Sequence, residues 1–240
     1  MWTLAKKEWQ HFFGNLTGYI AMTVFLALCG LWLFFFPDTN LLDYGYASLQ
    51  PFFEVAPWLM IMLIPTITMR SFAEELKSGT FELLRTYPLS NWQLVFGKYL
   101  GMLAVIFLTL LPTCIYPLSI QMLSSRGGID WGATAGSYLG LFLLASCFAA
   151  IGLYASSLTH QVVVAFVVGA FLCFMVYVGL EAVSKLPIFS NQADFYIQQL
   201  GLQEHYKSIS RGVIELRDVL YYVIIIALFL GLTKRQIQMK

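Results

Sequence analysis

The side chains best suited to chemistry in this sequence are its four cysteines and three histidines. The cysteines lie one at a time inside apolar runs, with neither a CxxC pair nor a histidine pair beside them, at Cys29, Cys114, Cys147 and Cys173. A metal site needs several such ligands at short spacing. We therefore expect no metal site, and we expect all four cysteines to be buried, reduced apolar residues.

The histidines lie outside the apolar runs, at His11, His160 and His205. An intramembrane protease requires a nucleophile with a base, or two buried aspartates, and an ion-coupled transporter needs ionisable groups near the centre of the membrane. The acids nearest the runs lie at their ends, at Glu54, Glu181 and Asp218, where we expect solvated carboxylates. The sequence supports neither class.

ATP hydrolysis by this chain alone is also unsupported. A phosphate-binding loop of the form GxxxxGK[ST] does not occur, and the pair Gly97 and Lys98 lacks the first glycine of that motif. We therefore expect the chain itself to bind no cofactor and to be no enzyme.

The composition indicates an integral membrane protein. Hydrophobic residues make up 59% of the chain and charged residues 11%, and the mean hydropathy is +0.72, far from the balance of a soluble domain. The formal net charge is only +1, with bases and acids interleaved. Nucleic-acid binding requires a concentrated basic face, so no nucleic-acid partner is expected.

Six apolar runs are long enough to cross a membrane as helices, which need roughly twenty mostly uncharged residues. The predicted spans are residues 17–36, 52–69, 100–120, 133–155, 162–183 and 213–232. The runs are unbroken and do not alternate, so we predict an all-α membrane protein and exclude a β-barrel. No repeat or linker divides the chain, and residues 1–240 are predicted to form one domain.

The distribution of basic residues predicts the orientation. With six spans, nine basic residues share the side of the amino terminus and five lie on the other side, while the acids divide four against nine. Basic residues concentrate on the cytoplasmic side. Both termini are therefore predicted to be cytoplasmic, as is the polar segment 70–98 between spans two and three.

Two further segments are predicted to be amphipathic. Residues 1–16 carry an apolar stripe, which favours an interfacial helix in contact with lipid; the alternative is the polar start of the first span. Residues 184–212 mix apolar and charged positions and are expected to rest at the outer interface.

Prolines and glycines mark special positions in the spans. Spans two and three carry the prolines Pro57, Pro65, Pro112 and Pro117, which kink helices and could form a hinge pair. Span four opens on a ridge of small residues, Gly132, Gly136 and Gly140, which allows close approach of another helix of this chain or a partner.

The polar segment 70–98 is predicted to be structured. Ser71 and Glu74 fit a capping box at the start of a short helix, and Gly79 stands where that helix ends. Ser90 and Gln93 fit a second capping box that starts the helix of span three. The segment mixes apolar residues with charges of both signs, which favours docking to a protein over resting on anionic lipid.

Three blocks of this segment carry a family resemblance: MRSFAEE at 69–75, GTFELL at 79–84, and PL at 88–89 with GK at 97–98. They resemble the first cytoplasmic loop of ABC-2-type transporter permeases. Residues 41–59 and 155–166 are similar to the gliding-motility-associated permeases of that family, their F subunit. One departure is that His160 and Gln161 stand where an acidic or amide pair is expected.

The resemblance implies a permease whose cytoplasmic coupling helix contacts a separate dimeric ATPase, which would bind ATP and Mg²⁺, beside a second permease subunit of the same or a different kind. It further implies a multi-pass protein of the bacterial inner membrane with a link to gliding motility. We expect the ATPase-docking residues to be Arg70, Phe72, Glu74, Glu75, Gly79, Thr80, Glu82 and Arg85, and spans two and five to line a path. The alternative function is a non-transporting membrane anchor or assembly scaffold.

Overall fold

The computed structural model describes residues 2–36, 48–86, 90–124, 128–184, 199, 201–213 and 215–239, with the side chains of residues 85 and 86 outside the described parts. Within these ranges all regular structure is helical. Most of the predicted outer segment 184–212 lies outside the described residues, because residues 185–198 and 200 are not among them.

Twelve helices cover the described ranges. They are α1 (Trp2–Phe13), α2 (Leu16–Phe34), α3 (Gln50–Thr68), α4 (Arg70–Ser78), α5 (Thr80–Thr86), α6 (Asn91–Leu110), α7 (Ile115–Leu123), α8 (Trp131–Leu158), α9 (Val162–Phe174), α10 (Leu180–Ser184), α11 (Leu202–Ile209) and α12 (Leu216–Gln238). A short 3₁₀ turn, Leu111–Cys114, joins α6 to α7, and a π turn, Met175–Gly179, joins α9 to α10.

Six helical runs are long and apolar enough to cross a membrane, which confirms the predicted all-α class. They are Leu16–Phe34, Gln50–Ser78, Asn91–Leu123, Trp131–Leu158, Val162–Ser184 and Leu216–Gln238. Three of these runs extend well beyond the apolar stretch that marked them in the sequence. Hydropathy reports the length that can lie in lipid, whereas backbone hydrogen bonding lets the same helix continue into polar surroundings.

Helix α8 lies at the centre of the bundle, in contact with α3, α6, α9 and α12. Small residues on α8 allow this close approach. A Cβ added at Gly152 would collide with Thr68 of α3.

Three of the cysteines, Cys29, Cys147 and Cys173, are buried. Cys114 is exposed, so the prediction that all four cysteines are buried is wrong at this position. Apolar composition alone does not distinguish an exposed surface of a span from the protein core.

The glycine ridge of α8 packs against the same chain. A Cβ at Gly136 would stand 3.1 Å from the carbonyl oxygen of Gly212, and one at Gly140 would collide with Ile209. The ridge therefore receives α11 and the turn that follows it, and Gly212 adopts φ 85° there, a backbone conformation that favours glycine.

Two of the span prolines have their lost hydrogen bonds replaced by tyrosines. Pro57 has no N–H for the carbonyl of Phe53, four residues earlier, and Tyr206 of α11 donates its hydroxyl to that oxygen at 2.7 Å. Pro117 likewise has no N–H for the carbonyl of Thr113, four residues earlier, and Tyr138 of α8 donates to that oxygen at 2.9 Å. The carbonyl four residues before each proline is therefore held by another helix, since unpaired carbonyls are costly in lipid.

Replacing Tyr206 by phenylalanine tests this relation. The variant leaves the Phe53 carbonyl without a donor and should lose about 1–3 kcal/mol of stability, measured as a lower thermal midpoint in detergent. Pro57→Ala restores a backbone N–H at the kink, so the loss caused by Tyr206→Phe should shrink in the Pro57→Ala background. Equal losses in both backgrounds would contradict the assignment.

The amino-terminal helix α1 packs along α6 of the bundle. Leu4 and Ala5 are buried, and a Cβ at Gly101 of α6 would stand 2.7 Å from Cβ of Glu8. Trp2 and Leu16, at the ends of the predicted stripe, are exposed. The amphipathic helix is thus present over Trp2–Phe13, and its contact with lipid stays a prediction.

Candidate functional site

The polar segment between spans two and three forms a helical elbow, which we call the α4–α5 elbow and define as residues 70–86. Gly79 ends α4 in the left-handed conformation at φ 73°, as predicted, and α5 starts at the next residue. Ser78 and Thr80 share a hydrogen bond of 2.8 Å across the turn. The predicted capping box of Ser90 and Gln93 is also present at the start of α6.

The predicted capping box at Ser71 is wrong. The residue preceding α4, Met69, has helical torsions of −54° and −33°, and its N–H bonds to the carbonyl of Pro65 at 2.8 Å. Helix α4 therefore continues almost directly from α3, and Ser71 lies inside it as its second residue, not at the capping position. The hydroxyl of Ser71 is buried and has no hydrogen-bond partner.

A serine from a distant helix stabilises the start of α4 instead. The hydroxyl oxygen of Ser156, on α8, accepts hydrogen bonds from the backbone N–H groups of Phe72 and Ala73 at 3.0 and 3.1 Å. The same hydroxyl donates to the carbonyl of Met69 at 2.9 Å. Ser156 thus supplies from another helix the donors and acceptors that a break between two helices leaves unpaired.

A buried lysine joins the elbow to two other helices. The ammonium group of Lys98, on α6, is fully buried. It donates to Glu8 of α1 and to the carbonyl of Ser71 of α4, both at 2.7 Å, and lies 2.9 Å from the carboxylate of Glu75. A buried charge is tolerated only when it is paired and hydrogen-bonded, and three helices meet at this cation.

Aromatic and outer ionic contacts complete this cluster. The Lys98 ammonium lies 4.9 Å from the ring centre of Phe72, a cation–π distance, and the Phe72 and Phe81 rings meet edge to face with their centres 6.4 Å apart. Lys7 of α1 bonds to Glu75 at 3.1 Å. We refer to Glu8, Glu75 and Lys98 as the buried ion cluster.

The predicted docking residues fall into distinct environments. Phe72 is fully buried and Glu75 belongs to the buried ion cluster, so Phe72 shapes the elbow and cannot itself touch a partner. Glu74 is half exposed, 3.9 Å from His11, and Arg70 borders a small cleft beside α1. Gly79, Thr80 and Glu82 are exposed. The side chain of Arg85 lies outside the described residues.

The exposed end of the elbow is a mixed polar and apolar surface. It comprises Lys77, Ser78, Gly79, Thr80, Glu82 and Leu83, and we call it the elbow tip. Leu83 is 65% exposed. A large apolar side chain flanked by charges of both signs is typical of a surface that binds a protein.

The second loop on this side, between α8 and α9, lies close to the elbow, because α4 contacts both of those helices. His160 and Gln161 are exposed there, and the backbone N–H of Gln161 bonds to the hydroxyl of Thr159 at 3.1 Å. The two loops therefore lie at the same end of the bundle.

Sequence reasoning missed the residues that hold the elbow: Glu8, Lys98 and Ser156. One signal was present, since a single lysine inside an otherwise apolar helix is costly unless paired. Nothing in the sequence indicated Glu8 or Ser156 as partners, which lie 90 and 84 positions from the groups they contact.

The opposite end of the bundle carries a second polar cluster. Asp218, expected to be a solvated acid, is buried, and its carboxylate oxygen lies 2.6 Å from Nδ1 of His205. Nε2 of the same ring lies 2.9 Å from the carbonyl of Gln199, and the ring stacks on Tyr221 at 4.1 Å. The pair ties α11 to the start of α12, which the expectation of a solvated carboxylate did not anticipate.

In the parts of the chain that the structure describes, no group of three or more His, Cys, Asp or Glu side chains lies close enough to hold a metal ion.

Comparison with known proteins adds one finding. The model of a family described as ABC-2 family transporter protein matches residues 2–233. No curated protein matches the chain.

Proposed function

Since this chain belongs to the ABC-2 family of transporter proteins, we propose that it is the membrane permease subunit of a transporter in which a separate ATPase docks on the elbow tip and drives movement of the spans. It is a multi-pass membrane protein, and the proposal places it in the bacterial inner membrane with both termini in the cytoplasm. ATP and Mg²⁺ would bind to the ATPase partner.

The attachment of the elbow to α1, α6 and α8 is the observation that carries this proposal. A docking element transmits force only if it cannot move independently of the helices behind it. The buried ion cluster fixes α4 to α1 and α6, and Ser156 fixes its start to α8. Displacement of the elbow tip would therefore displace three other helices at once.

The continuity of span two also supports transmission of movement from the elbow to the membrane-spanning helices. Residues Gln50–Ser78 form one helical run, interrupted only at Met69, so the helix that crosses the membrane ends in the elbow itself. Closure of an ATPase dimer can change the transmembrane helices only if the elbow binds its two states with different affinity. The elbow tip, with its exposed Thr80, Glu82 and Leu83, offers contacts for such discrimination.

The proposal also concerns what the movement of the spans achieves. The similarity of residues 41–59 and 155–166 to gliding-motility permeases supports a role in force transmission or transport linked to gliding, with a second permease subunit, the same or different, beside this chain. The exposed faces of spans two and five, which include Trp58 and Val167, would contribute to the path. A scaffold that binds the same partner without moving remains the alternative outcome.

Charge reversal at the elbow tip tests the docking assignment. Glu82→Lys changes an exposed side chain and should leave the fold intact, while retention of the co-purified ATPase from native membranes should fall about tenfold, since an interface charge of the wrong sign costs a kilocalorie or more. Glu75 is unsuitable for this test because it belongs to the buried ion cluster.

The matched control is Glu215→Lys, the same change at an exposed residue predicted to lie on the other side of the membrane, and it should retain the ATPase. Unchanged ATPase retention in Glu82→Lys, or labelling of Thr80→Cys from the outer face of intact cells, would contradict the docking assignment. ATPase turnover that responds to no transported compound would favour the scaffold.

A further inference from the structure

A large cleft opens at the end of the bundle opposite the elbow. Its volume is about 590 Å³, enough for a small organic ligand. One wall is the start of α3, with Glu54 and Trp58 one helical turn apart; the others are the start of α8, with Asp130, and the inward face of α11, with Gln203. We call this space the outer cleft.

Charged groups of both signs line the outer cleft. Glu54 and Asp130 line it, as do the basic residues Lys207 and Arg211. The ammonium group of Lys207 is already paired with the carboxylates of Glu204 and Glu181, at 3.1 and 3.4 Å. Because carboxylates outside the lining neutralise Lys207, the two carboxylates of the cleft face one further basic group, Arg211. The same side of the chain is acidic as a whole, which would attract cations over a longer range.

Two side chains of the outer cleft, Gln203 and Glu54, have oxygen atoms that could accept hydrogen bonds from a ligand. The side-chain oxygen of Gln203 is buried and has no hydrogen-bond partner. Glu54 accepts from Gln50 through one of its two carboxylate oxygens, at 2.9 Å. The buried Gln203 oxygen is unfavourable without a donor, and a ligand rich in N–H groups would satisfy both it and the carboxylate of Glu54, which is exposed.

The aromatic lining supplies a second attraction for a cation. Trp58 is 47% exposed, and its ring meets that of Tyr177 edge to face, with the centres 6.0 Å apart. Tyr177 is itself only 3% exposed, yet it borders the cleft. Ring faces attract ammonium groups and add to the effect of nearby carboxylates.

A π turn presents Tyr177 to the outer cleft. Residues Met175–Gly179 form this turn between α9 and α10. Such turns are rare, are less favourable than regular helix, and occur frequently at functional sites. Tyr177 lies at the middle of this turn and borders the cleft. Its position beside the carboxylates points to a binding site and not to a packing fault.

We propose that the outer cleft binds an organic amine, whose ammonium group lies between the carboxylates of Glu54 and Asp130 while its carbon chain lies on Trp58. This binding does not require the ATPase, so it can be tested independently of the docking proposal. Glu54 and Trp58 belong to the helical run that ends in the elbow, so an occupant would contact a helix that the ATPase is proposed to move.

The test uses the full chain in nanodiscs of phosphatidylcholine, a net-neutral lipid, with spermidine as the probe and isothermal titration calorimetry as the readout. We expect saturable binding of one spermidine per chain. Glu54→Gln and Asp130→Asn should each weaken it about tenfold, the effect of losing one charge-assisted contact. Asparagine caps helices as well as aspartate does, so Asp130→Asn should keep the start of α8 intact.

Three further measurements make the result specific. Glu215→Gln, an exposed acid outside the cleft, should leave the affinity unchanged. Trp58→Ala should weaken binding without altering charge. A diol of matched length and maltose should not compete. Absence of binding, equal affinity in Glu54→Gln and the unaltered chain, or displacement by maltose would each overturn the proposal, the last by assigning the cleft to a neutral polyhydroxyl ligand.

Discussion

Lys98→Met should destabilise the protein by about 3–5 kcal/mol, because it leaves two carboxylates buried without their cation. Lys98 is fully buried, and its ammonium lies within 2.9 Å of both Glu8 and Glu75. In a chain of this length the loss corresponds to a fall in the thermal midpoint of about 10 °C. Fluorescence-detected gel filtration after heating in detergent measures it.

The loss of stability in Lys98→Met should come from the buried carboxylates that no longer have a cation, and not from lost packing. Glu8→Gln and Glu75→Gln, added to Lys98→Met, remove the uncompensated carboxylates and should recover most of the midpoint, since a neutral cluster of similar volume is often as stable as a buried ion pair. Failure of this triple variant to recover would mean that the cluster contributes chiefly by shape.

Lys234→Met is the matched control. Lys234 lies near the far end of α12, with its ammonium 4.7 Å from the ring centre of Trp92, and it is only half buried. An exposed cation–π contact is worth about 0.5–1 kcal/mol. A loss as large as that of Lys98→Met would show that any lysine near α6 matters and would contradict the special role of the buried ion cluster.

Ser156→Ala should release the start of α4, with a loss of about 2–3 kcal/mol, because the buried N–H groups of Phe72 and Ala73 then have no acceptor. The local readout is hydrogen exchange at those two amides, followed by mass spectrometry of the peptide spanning residues 69–77. Exchange should accelerate about thirtyfold, the factor that corresponds to about 2 kcal/mol.

The neighbouring serine provides the control. Ser157 is also fully buried, but its hydroxyl donates at 2.7 Å to the carbonyl of Tyr154 in its own helix. Ser157→Ala should therefore leave exchange at Phe72 and Ala73 unchanged and cost well under about 1 kcal/mol. Similar exchange in both variants would show that α4 does not depend on the trans-helix cap.

The combination of these two attachments has a functional consequence. Lys98 holds the middle of α4 and Ser156 holds its start, so loss of either should weaken the response of ATPase turnover to the membrane subunit more than it weakens ATPase retention. Glu82→Lys should do the reverse. This separation distinguishes residues that transmit movement from residues that bind the partner.

The local features of the elbow were readable from the sequence because each depends on residues within four positions. Gly79 ends α4, and Ser90 and Gln93 start α6, as predicted. The exception was Ser71, which has the right residue three positions later, at Glu74, but lies inside a helix that continues from α3. A capping box requires its serine to precede the first helical residue, and only the path of the preceding helix decides where that residue lies.

By itself the sequence determined the number and helical nature of the six spans, since lipid leaves an apolar run of twenty residues few alternatives to a helix. Only the tertiary structure decided which polar groups meet. Lys98 reaches Glu8 across 90 positions, Ser156 reaches α4 across 84, and Tyr206 reaches the carbonyl freed by Pro57 across 153. Such contacts satisfy buried polar groups through whichever helix packs alongside, and the packing partner of a helix is not encoded by its own periodicity.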